Sequence, residues 1–113
     1  MDSVKHFIRN ENYEIENKRN RLLIKVYSNN KWEYIGYLKY SIKKHDNSTK
    51  YVYIDLISID RDWRNYGYAT ALVDYLYKKY EPNIHIEVSN MTPLGYEFFT
   101  TISPYYPNMV IHK

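Results

Sequence analysis

Alternation of apolar and polar positions is the clearest pattern in the first half of the chain. In the segment RLLIKVYS, Leu22, Ile24 and Val26 recur at every second position, which is the period of a half-buried β-strand. The segment KWEYIGYLKYSI is rich in aromatic and β-branched residues, and Asn29–Asn30 between the two segments suits a tight turn. The pattern therefore predicts a β-hairpin, with Gly36 marking a bulge in its second strand.

The segments on either side of this hairpin are patterned differently. Residues 1–20 are polar and weakly patterned, and we expect one short strand there, near Tyr13–Ile15. The segment KKHDNSTK is typical of a solvated loop. In the next segment, Tyr51–Asp60, apolar residues occur at both parities, which predicts a strand buried on both faces.

Helical spacing replaces the alternation after Gly67. One apolar stripe is formed by Ala69, Leu72, Val73, Leu76 and Tyr80. Glu81–Pro82 is expected to end this helix. The segment NIHIEVSN then predicts another strand.

A second helix is predicted over TPLGYEFFTTI, where Thr92 can cap the helix and Pro93 suits its first turn. Leu94, Phe98 and Ile102 fall on one face. The last segment, SPYYPNMVIHK, is interrupted by prolines and is expected to end in a strand. The central strand–helix–strand unit should be a right-handed parallel crossover. We therefore predict an α/β (α+β) fold, a mixed and mostly antiparallel sheet flanked by helices.

Composition narrows the class of protein. A chain of 113 residues predicts a single domain, residues 1–113. It has no cysteine, which excludes disulfides and thiolate metal sites and fits a reducing cytoplasm. No segment is long and apolar enough to span a membrane or to form a signal peptide. The four histidines are His6, His45, His85 and His112. They are far apart in the sequence and lack the spacing of metal ligands, so no metal site is predicted.

The 15 tyrosines allow a nucleic-acid interpretation, in which they stack on single-stranded bases with lysines between them. However, Tyr, Asn, Lys and Ile share A/T-rich codons, and a biased genome explains their abundance. The tyrosines are spread over every predicted element, and a net charge of +3 is mild. Nucleic-acid binding is therefore the least favoured function.

The stretch RNYGYA, Arg64–Ala69, joins the apolar strand to the first helix. The first N–H groups of a helix have no intrahelical acceptor and lie at the positive end of its dipole, so they can bind an anion. Gly67 has no Cβ and lets a phosphate approach the backbone, while Arg64 supplies positive charge at the rim. The stretch predicts a pyrophosphate site, although it is neither a P-loop nor the three-glycine dinucleotide fingerprint.

Arg64-x-x-Gly67-x-Ala69 matches the Q/R-x-x-G-x-G/A signature of the GNAT N-acetyltransferase superfamily. The resemblance extends over about residues 51–102. LISIDRDWRNYGYATALVDYL is similar to the family's strand, turn, signature and helix, and IHIEVSN is similar to its next strand, with Asn90 as the family's asparagine. The resemblance implies a GNAT-like sheet and an acetyl-CoA-dependent N-acetyltransferase.

The resemblance also implies where acetyl-CoA lies. In that family the signature amides hold the pyrophosphate, the preceding strand pairs with the pantetheine arm, and the next strand splays away to leave a gap for the acetyl thioester. The amine attacks the thioester directly, which agrees with a chain that has no cysteine. The residues implied for the cofactor are Ile57, Ser58, Ile59, Arg64, Asn65, Tyr66, Gly67, Tyr68, Ala69, Thr70, Asn90 and Phe99.

Two carboxylates are candidates for the general base that takes the proton of the amine, directly or through water. Asp55 and Glu87 each lie where some family members carry an acidic residue. The structural alternatives are a lysine-paired charge for Asp55 and a solvent-facing residue for Glu87, which shares its strand face with His85. Both assignments stay open.

The group that protonates the CoA thiolate is also open. Family members often use a tyrosine of the last helix. Counting from Asn90 favours Tyr96, whereas counting from Glu87 points to Phe99, which has no proton to give. Tyr96 is the predicted acid, with a core aromatic as the alternative. If Phe99 occupies the position, water protonates the thiolate or the activity is weak or absent.

The N-terminal region departs from the family pattern. Residues 1–20 cannot hold the two helices that usually follow the family's first strand. The acceptor side is therefore expected to be open, or closed by a second subunit in a homodimer, and an open side favours a protein or peptide amine as acceptor. A GNAT-fold binding protein that is catalytically weak or inactive, and that acts by contacting a partner protein, is the alternative function.

Overall fold

The computed structural model describes residues 12–80, 85–89 and 91–112. Within these ranges the chain forms a six-stranded sheet and two α-helices. The elements are, in chain order, β1 (Tyr13–Lys18), β2 (Arg21–Ser28), β3 (Lys31–Lys44), β4 (Lys50–Ile59), a 3₁₀ turn (Arg61–Trp63), α1 (Tyr68–Tyr80), β5 (Ile86–Val88), α2 (Pro93–Ile102), a second 3₁₀ turn (Ser103–Tyr105) and β6 (Met109–Ile111). No helix in these ranges is long and apolar enough to cross a membrane.

The strands lie in the sheet in chain order, from β1 to β6. Neighbouring strands from β1 to β4 are antiparallel, whereas β5 runs parallel to both β4 and β6. Because parallel neighbours need a long crossover connection, α1 and α2 lie between them in the chain. The predicted mixed, mostly antiparallel sheet with a strand–helix–strand unit is confirmed.

Two tight turns build the antiparallel part of the sheet. Asn29 and Asn30, between β2 and β3, have φ angles of 53° and 64°, which suit the two central residues of a type I′ hairpin turn. Arg19 and Asn20 have φ angles of 50° and 63° between β1 and β2. The predicted hairpin is confirmed, and the predicted first strand is longer than expected because it pairs with β2 from Tyr13 to Lys18.

The hydrophobic core joins alternate residues of the strands to the apolar stripe of α1. The buried strand residues are Leu22, Ile24, Val26, Ile35, Leu38, Tyr40, Val52, Ile54, Ile59, Ile86 and Val88. From α1, Leu72, Val73 and Leu76 are fully buried, which confirms the predicted stripe. α1 ends at Tyr80, and Glu81–Pro82, the predicted stop, lie outside the described residues.

β4 is buried on one face only, so the prediction of a strand buried on both faces is wrong. Val52 and Ile54 are buried, whereas Tyr51 and Tyr53 are only half-buried and Leu56 is 46% exposed. A tyrosine covers apolar surface with its ring and keeps its hydroxyl near water. Counting these tyrosines as apolar therefore overestimated burial of the second face.

α2 begins as predicted but packs differently. The Oγ1 of Thr92 accepts the N–H of the residue three positions on, at 3.1 Å, and a proline occupies the first turn. Phe99 and Ile102 are buried, whereas Leu94 is 76% exposed. Leu94, Phe98 and Ile102 lie on one helix at four-residue spacing, as predicted, but the face they share is not buried at Leu94. The helix docks through its second half, which periodicity alone does not reveal.

Candidate functional site

The candidate site lies beside a bulge in β4. Lys39 of β3 pairs with Leu56, but the next residue, Tyr40, pairs with Ile54. Asp55 is therefore the extra residue of β4 at this point. A bulge of this kind bends its strand and increases the local twist.

β4 and β5 separate directly after the bulge. Val52–Ile54 pair with Ile86–Val88, and no pair between these two strands follows within the described residues. The second half of β4, Leu56–Ile59, still pairs with β3 on its other side. Its edge toward β5 is thus open at Ile57–Ile59, the residues predicted to pair with the pantetheine arm.

The gap between β4 and β5 contains a pocket of about 140 Å³. The lining residues come from β4, from β5 with the segment after it, and from α2: Ile54, Asp55, Leu56, Ile57, Val88, Ser89, Met91, Thr92, Gly95 and Phe99. Most of this lining is apolar, and Asp55 is its one ionisable group among the described residues. The pocket therefore combines an apolar surface with a single carboxylate.

Gly36 lets β3 approach β4 closely, on the opposite side of β4 from this open edge. A Cβ at this position would lie 2.5 Å from the carbonyl oxygen of Ser58 and 2.6 Å from Cδ1 of Ile59. The register of β2 and β3 also shifts here, since Ile24 pairs with Gly36 and Lys25 pairs with Tyr34. The bulge that Gly36 was predicted to mark is therefore present beside it, with Ile35 as the extra residue.

The loop from β4 to α1 contains two residues with positive φ angles. Gly67 has a φ of 88° and Asn65 a φ of 69°, a left-handed region that glycine and asparagine tolerate best. α1 follows at once, because the Gly67 carbonyl accepts the N–H of Ala71 at 3.0 Å. The first turn of α1 carries no acidic side chain. The positive end of the helix dipole therefore lies at this loop, and the first turn of α1 adds no negative side chain to it.

Side chains of this loop attach it to the end of β4. Arg64 Nε donates to the carbonyl oxygen of Ile59 at 2.9 Å. The rings of Trp63, Tyr66 and Tyr68 lie with their centroids 6.2 to 6.3 Å apart. The structure thus brings the predicted stretch Arg64–Ala69 next to the open edge of β4.

The residues considered for thiolate protonation lie on α2. Phe99 is buried and lines the pocket. Tyr96 is 36% exposed and is not one of the lining residues. Asn90, the predicted cofactor residue from which Tyr96 was counted, lies outside the described residues.

Glu87 lies in a cluster with three histidines rather than in the pocket lining. His85 Nε2 is 2.7 Å and His45 Nε2 is 3.2 Å from Glu87 Oε2. His112 Nε2 is 2.8 Å from the other oxygen, Oε1. No metal site was predicted because the histidines are far apart in the sequence. That reason is wrong, because strand pairing brings His45, His85 and His112 together around Glu87. His6 lies outside the described residues.

The electrostatics of Glu87 follow from these contacts. Burial alone would raise the pKa of Glu87, but hydrogen bonds from His85 and His112 outweigh burial and lower this pKa. The carboxylate is therefore charged and both of its oxygens are engaged. The structural alternative of a solvent-facing glutamate is wrong, since Glu87 is 8% exposed.

Hydroxyl groups at the pocket were not predicted as functional residues. Tyr53 and Ser89 share a hydrogen bond of 2.5 Å between their oxygens, and Ser89 and Thr92 line the pocket. The period of two offered a signal, because Ser89 follows Glu87 by two residues and Tyr53 precedes Asp55 by two. Only the pairing of β4 with β5 brings Tyr53 and Ser89 together.

Comparison with known families identifies the class of protein. The model of the acetyltransferase (GNAT) family matches residues 2–91. The chain therefore belongs to the GNAT acetyltransferase family. Comparison with curated proteins gave no match.

Solved structures show the same fold at low sequence identity. A ribosomal-protein-alanine N-acetyltransferase from Brucella melitensis biovar Abortus 2308 matches with a TM-score of 0.54 and 18% identity, over 76% of this chain and 65% of that one. The aminoglycoside acetyltransferase HMB0005 from an uncultured soil metagenomic sample matches with 0.54 and 15%, over 79% and 60%. The KacTA–DNA complex matches with 0.56 and 15%, over 76% and 60%. The chain thus spans about three fifths to two thirds of the length of these proteins.

Proposed function

We propose that the protein transfers an acetyl group from acetyl-CoA to a primary amine. The observation that carries this proposal is the open edge of β4 at Ile57–Ile59, which lies between a pocket and the glycine-led start of α1. An open strand edge offers backbone groups to the amides of pantetheine, and a helix N-terminus offers N–H groups to a diphosphate. Membership of the GNAT family supports this use of the two features.

In the proposed reaction the amine nitrogen attacks the thioester carbonyl carbon. A C–N bond forms, the C–S bond breaks, and CoA leaves as a thiolate. The amine proton passes to the Asp55 carboxylate, directly or through water, because Asp55 is the ionisable group of the pocket lining. Glu87 is the second candidate base, although three histidines already occupy its oxygens.

The thiolate then needs a proton or a hydrogen bond. Tyr96 remains the sequence-based prediction for this acid. The hydroxyls of Ser89 and Thr92 are further candidates because they line the pocket, and Ser89 is hydrogen-bonded to Tyr53. Phe99, which occupies the buried position, offers no proton.

The acceptor is proposed to be an exposed amine of a protein or peptide. Three large side chains of β2 and β3 are exposed, namely Tyr27, Trp32 and Tyr34, so a bulky acceptor or a second copy of the chain has a surface to contact. The names of two structural neighbours refer to a ribosomal-protein alanine and to aminoglycosides. Both kinds of amine therefore belong in a substrate panel. We place the reaction in the cytoplasm, which the lack of cysteine supports.

Binding of acetyl-CoA is the first test. The melting temperature is followed during a titration, and about 2.7 kcal/mol of stabilisation is expected at 100 times the dissociation constant. Gly67→Val should weaken binding at least about tenfold, which corresponds to about 1.4 kcal/mol, because valine disfavours a φ of 88° and its side chain fills the phosphate approach. Asn30→Val is the matched control, since it also places valine at a positive φ, 64°, but in the turn between β2 and β3. Unchanged affinity in the Gly67 variant would contradict the proposal.

Transfer is tested separately by the release of free CoA. A thiol reagent reports this release without background from the protein, because the chain has no cysteine. The panel contains peptides with a free N-terminus, a lysine peptide and an aminoglycoside. Binding of acetyl-CoA without turnover on any amine would favour the second candidate, a partner-binding protein, which Phe99 in the pocket lining supports.

A further inference from the structure

Three strand ends bring imidazole and carboxylate groups together outside the pocket. His45 lies in the loop between β3 and β4, His85 immediately precedes β5, Glu87 lies within β5, and His112 immediately follows β6. His85 and Glu87 share one face of the strand because they are two residues apart. The ring of Tyr51 stacks on His45 at 4.3 Å and lies parallel to His85 at 5.7 Å between centroids. The two imidazole rings are therefore held in nearly parallel planes.

The ligand atoms of three of these residues converge on one point. Glu87 Oε2 is 2.7 Å from His85 Nε2 and 3.2 Å from His45 Nε2, and the two Nε2 atoms are 3.4 Å apart. Tetrahedral zinc with ligands at about 2.0–2.1 Å places neighbouring ligand atoms about 3.3 Å apart. Two of the three separations already have this value within about 0.1 Å, and a small rotation of the Glu87 carboxylate supplies the third.

We propose that His45, His85 and Glu87 form a Zn²⁺ site. Imidazole nitrogen and carboxylate oxygen are ordinary zinc ligands, and imidazole disfavours Mg²⁺ and Ca²⁺ relative to zinc. Three protein ligands leave one coordination position for water, and the exposed fractions of the His45 and His85 side chains, 40% and 31%, leave room for it. This ligand set does not depend on the proposed acetyl transfer.

His112 acts as a positioning residue for this site. Its Nε2 donates to Glu87 Oε1 at 2.8 Å, which leaves Oε2 for the metal. Such hydrogen bonds fix the orientation of ligand carboxylates. The metal would link the β3–β4 loop to β5, whose pairing with β4 comprises only three residue pairs.

The test measures zinc binding by the full chain after removal of any histidine tag. Isothermal titration with ZnCl₂ should give one ion per chain, and titration with MgCl₂ should give none at the same concentration. His45→Ala and His85→Ala should each weaken zinc binding by more than about tenfold, because even loss of a second-shell group costs 10–100-fold. His112→Ala should cause a smaller loss than either. Glu97→Gln removes an exposed glutamate of α2 and should leave the affinity unchanged.

Two further measurements keep the result independent of folding defects. Circular dichroism shows whether each variant is folded, and His45→Ala is the least disruptive because His45 lies in a loop and is exposed. Anomalous scattering at the zinc edge locates the ion in a crystal. Retention of full affinity in both folded histidine variants would overturn the proposal, as would the absence of any binding by the wild-type chain. The latter result would show a purely hydrogen-bonded cluster.

Discussion

The sheet has two parts, strands β1 to β3 and strands β4 to β6, which differ in how far neighbouring strands pair. From β1 to β3, tight turns join antiparallel neighbours that are paired along their lengths. From β4 to β6, the parallel neighbours are joined by only three residue pairs each, and a pocket lies where β4 and β5 separate. The comparison shows that short pairing at the parallel edge, rather than a different kind of residue, opens the candidate site.

The two parts of the sheet also differ in the partners of their carboxylates. Glu16 of β1 lies 2.9 Å from Lys25 Nζ and accepts the hydroxyl of Tyr34 at 3.0 Å, so its charge is neutralised within the antiparallel part. Among the described residues, the Asp55 carboxylate accepts one hydrogen bond, from the hydroxyl of Ser41 at 3.2 Å, and it borders the pocket. A carboxylate without a cationic partner can take up a proton during a reaction, which a lysine-paired one resists.

The largest expected effect is the loss of turnover caused by Asp55→Asn. Removal of a general base should lower kcat by about 10²–10⁴-fold, with little change in the affinity for acetyl-CoA. Turnover is measured as thiol release, and binding as a melting shift. Asp46→Asn, an exposed position in the β3–β4 loop, is the matched control. A loss caused by Glu87→Gln but not by Asp55→Asn would assign the base to Glu87 instead.

A moderate effect is expected at the junction of the two parts, from Gly36→Ala. The added Cβ would lie 2.5 Å from the Ser58 carbonyl oxygen, a backbone atom that cannot move without shifting β4. We expect a loss of about 1–3 kcal/mol in the free energy of unfolding, as for other overpacked sites. Urea unfolding measures this loss. Gly95→Ala, with a Cβ 3.4 Å from Thr92 Oγ1, should not destabilise the protein, and equal stability of both variants would contradict the close approach of β3 and β4.

The smallest effect is expected in the antiparallel part, from Glu16→Gln. The hydrogen bond from Lys25, followed by that from Tyr34, lowers the pKa of Glu16 to about 2. A lowered folded-state pKa stabilises the protein above the unfolded value of 4.5, and this contribution is lost as the pH falls toward 2. The side chain is 26% exposed, so solvent screens the pair and the effect is small.

Urea unfolding of Glu16→Gln and wild type at about pH 7 and pH 3 checks this sign. The difference in stability should be larger at the higher pH, and the turnover of the variant should equal that of wild type. A difference that grows on acidification would contradict the assignment. Lower turnover would show that the two parts of the sheet are not functionally separate.

Sequence alone determined the elements, the signature loop and the family resemblance. The period of two in β2, the paired asparagines before β3 and the stripe of α1 are local patterns, because backbone geometry fixes which residues share a face. The loop at Gly67 was predictable for the same reason, since a left-handed residue before a helix has few alternatives to glycine. These predictions needed no information about distant contacts.

Tertiary structure decided what lies across from each strand. Periodicity does not encode where β5 stops pairing with β4, so the position of the pocket beside Asp55, and the absence of Tyr96 from its lining, required the structure. The same holds for the histidine cluster. His45, His85 and His112 are distant in the chain and meet at Glu87 only because β5 pairs with both β4 and β6, and pairing energy depends on neighbours in space rather than in sequence.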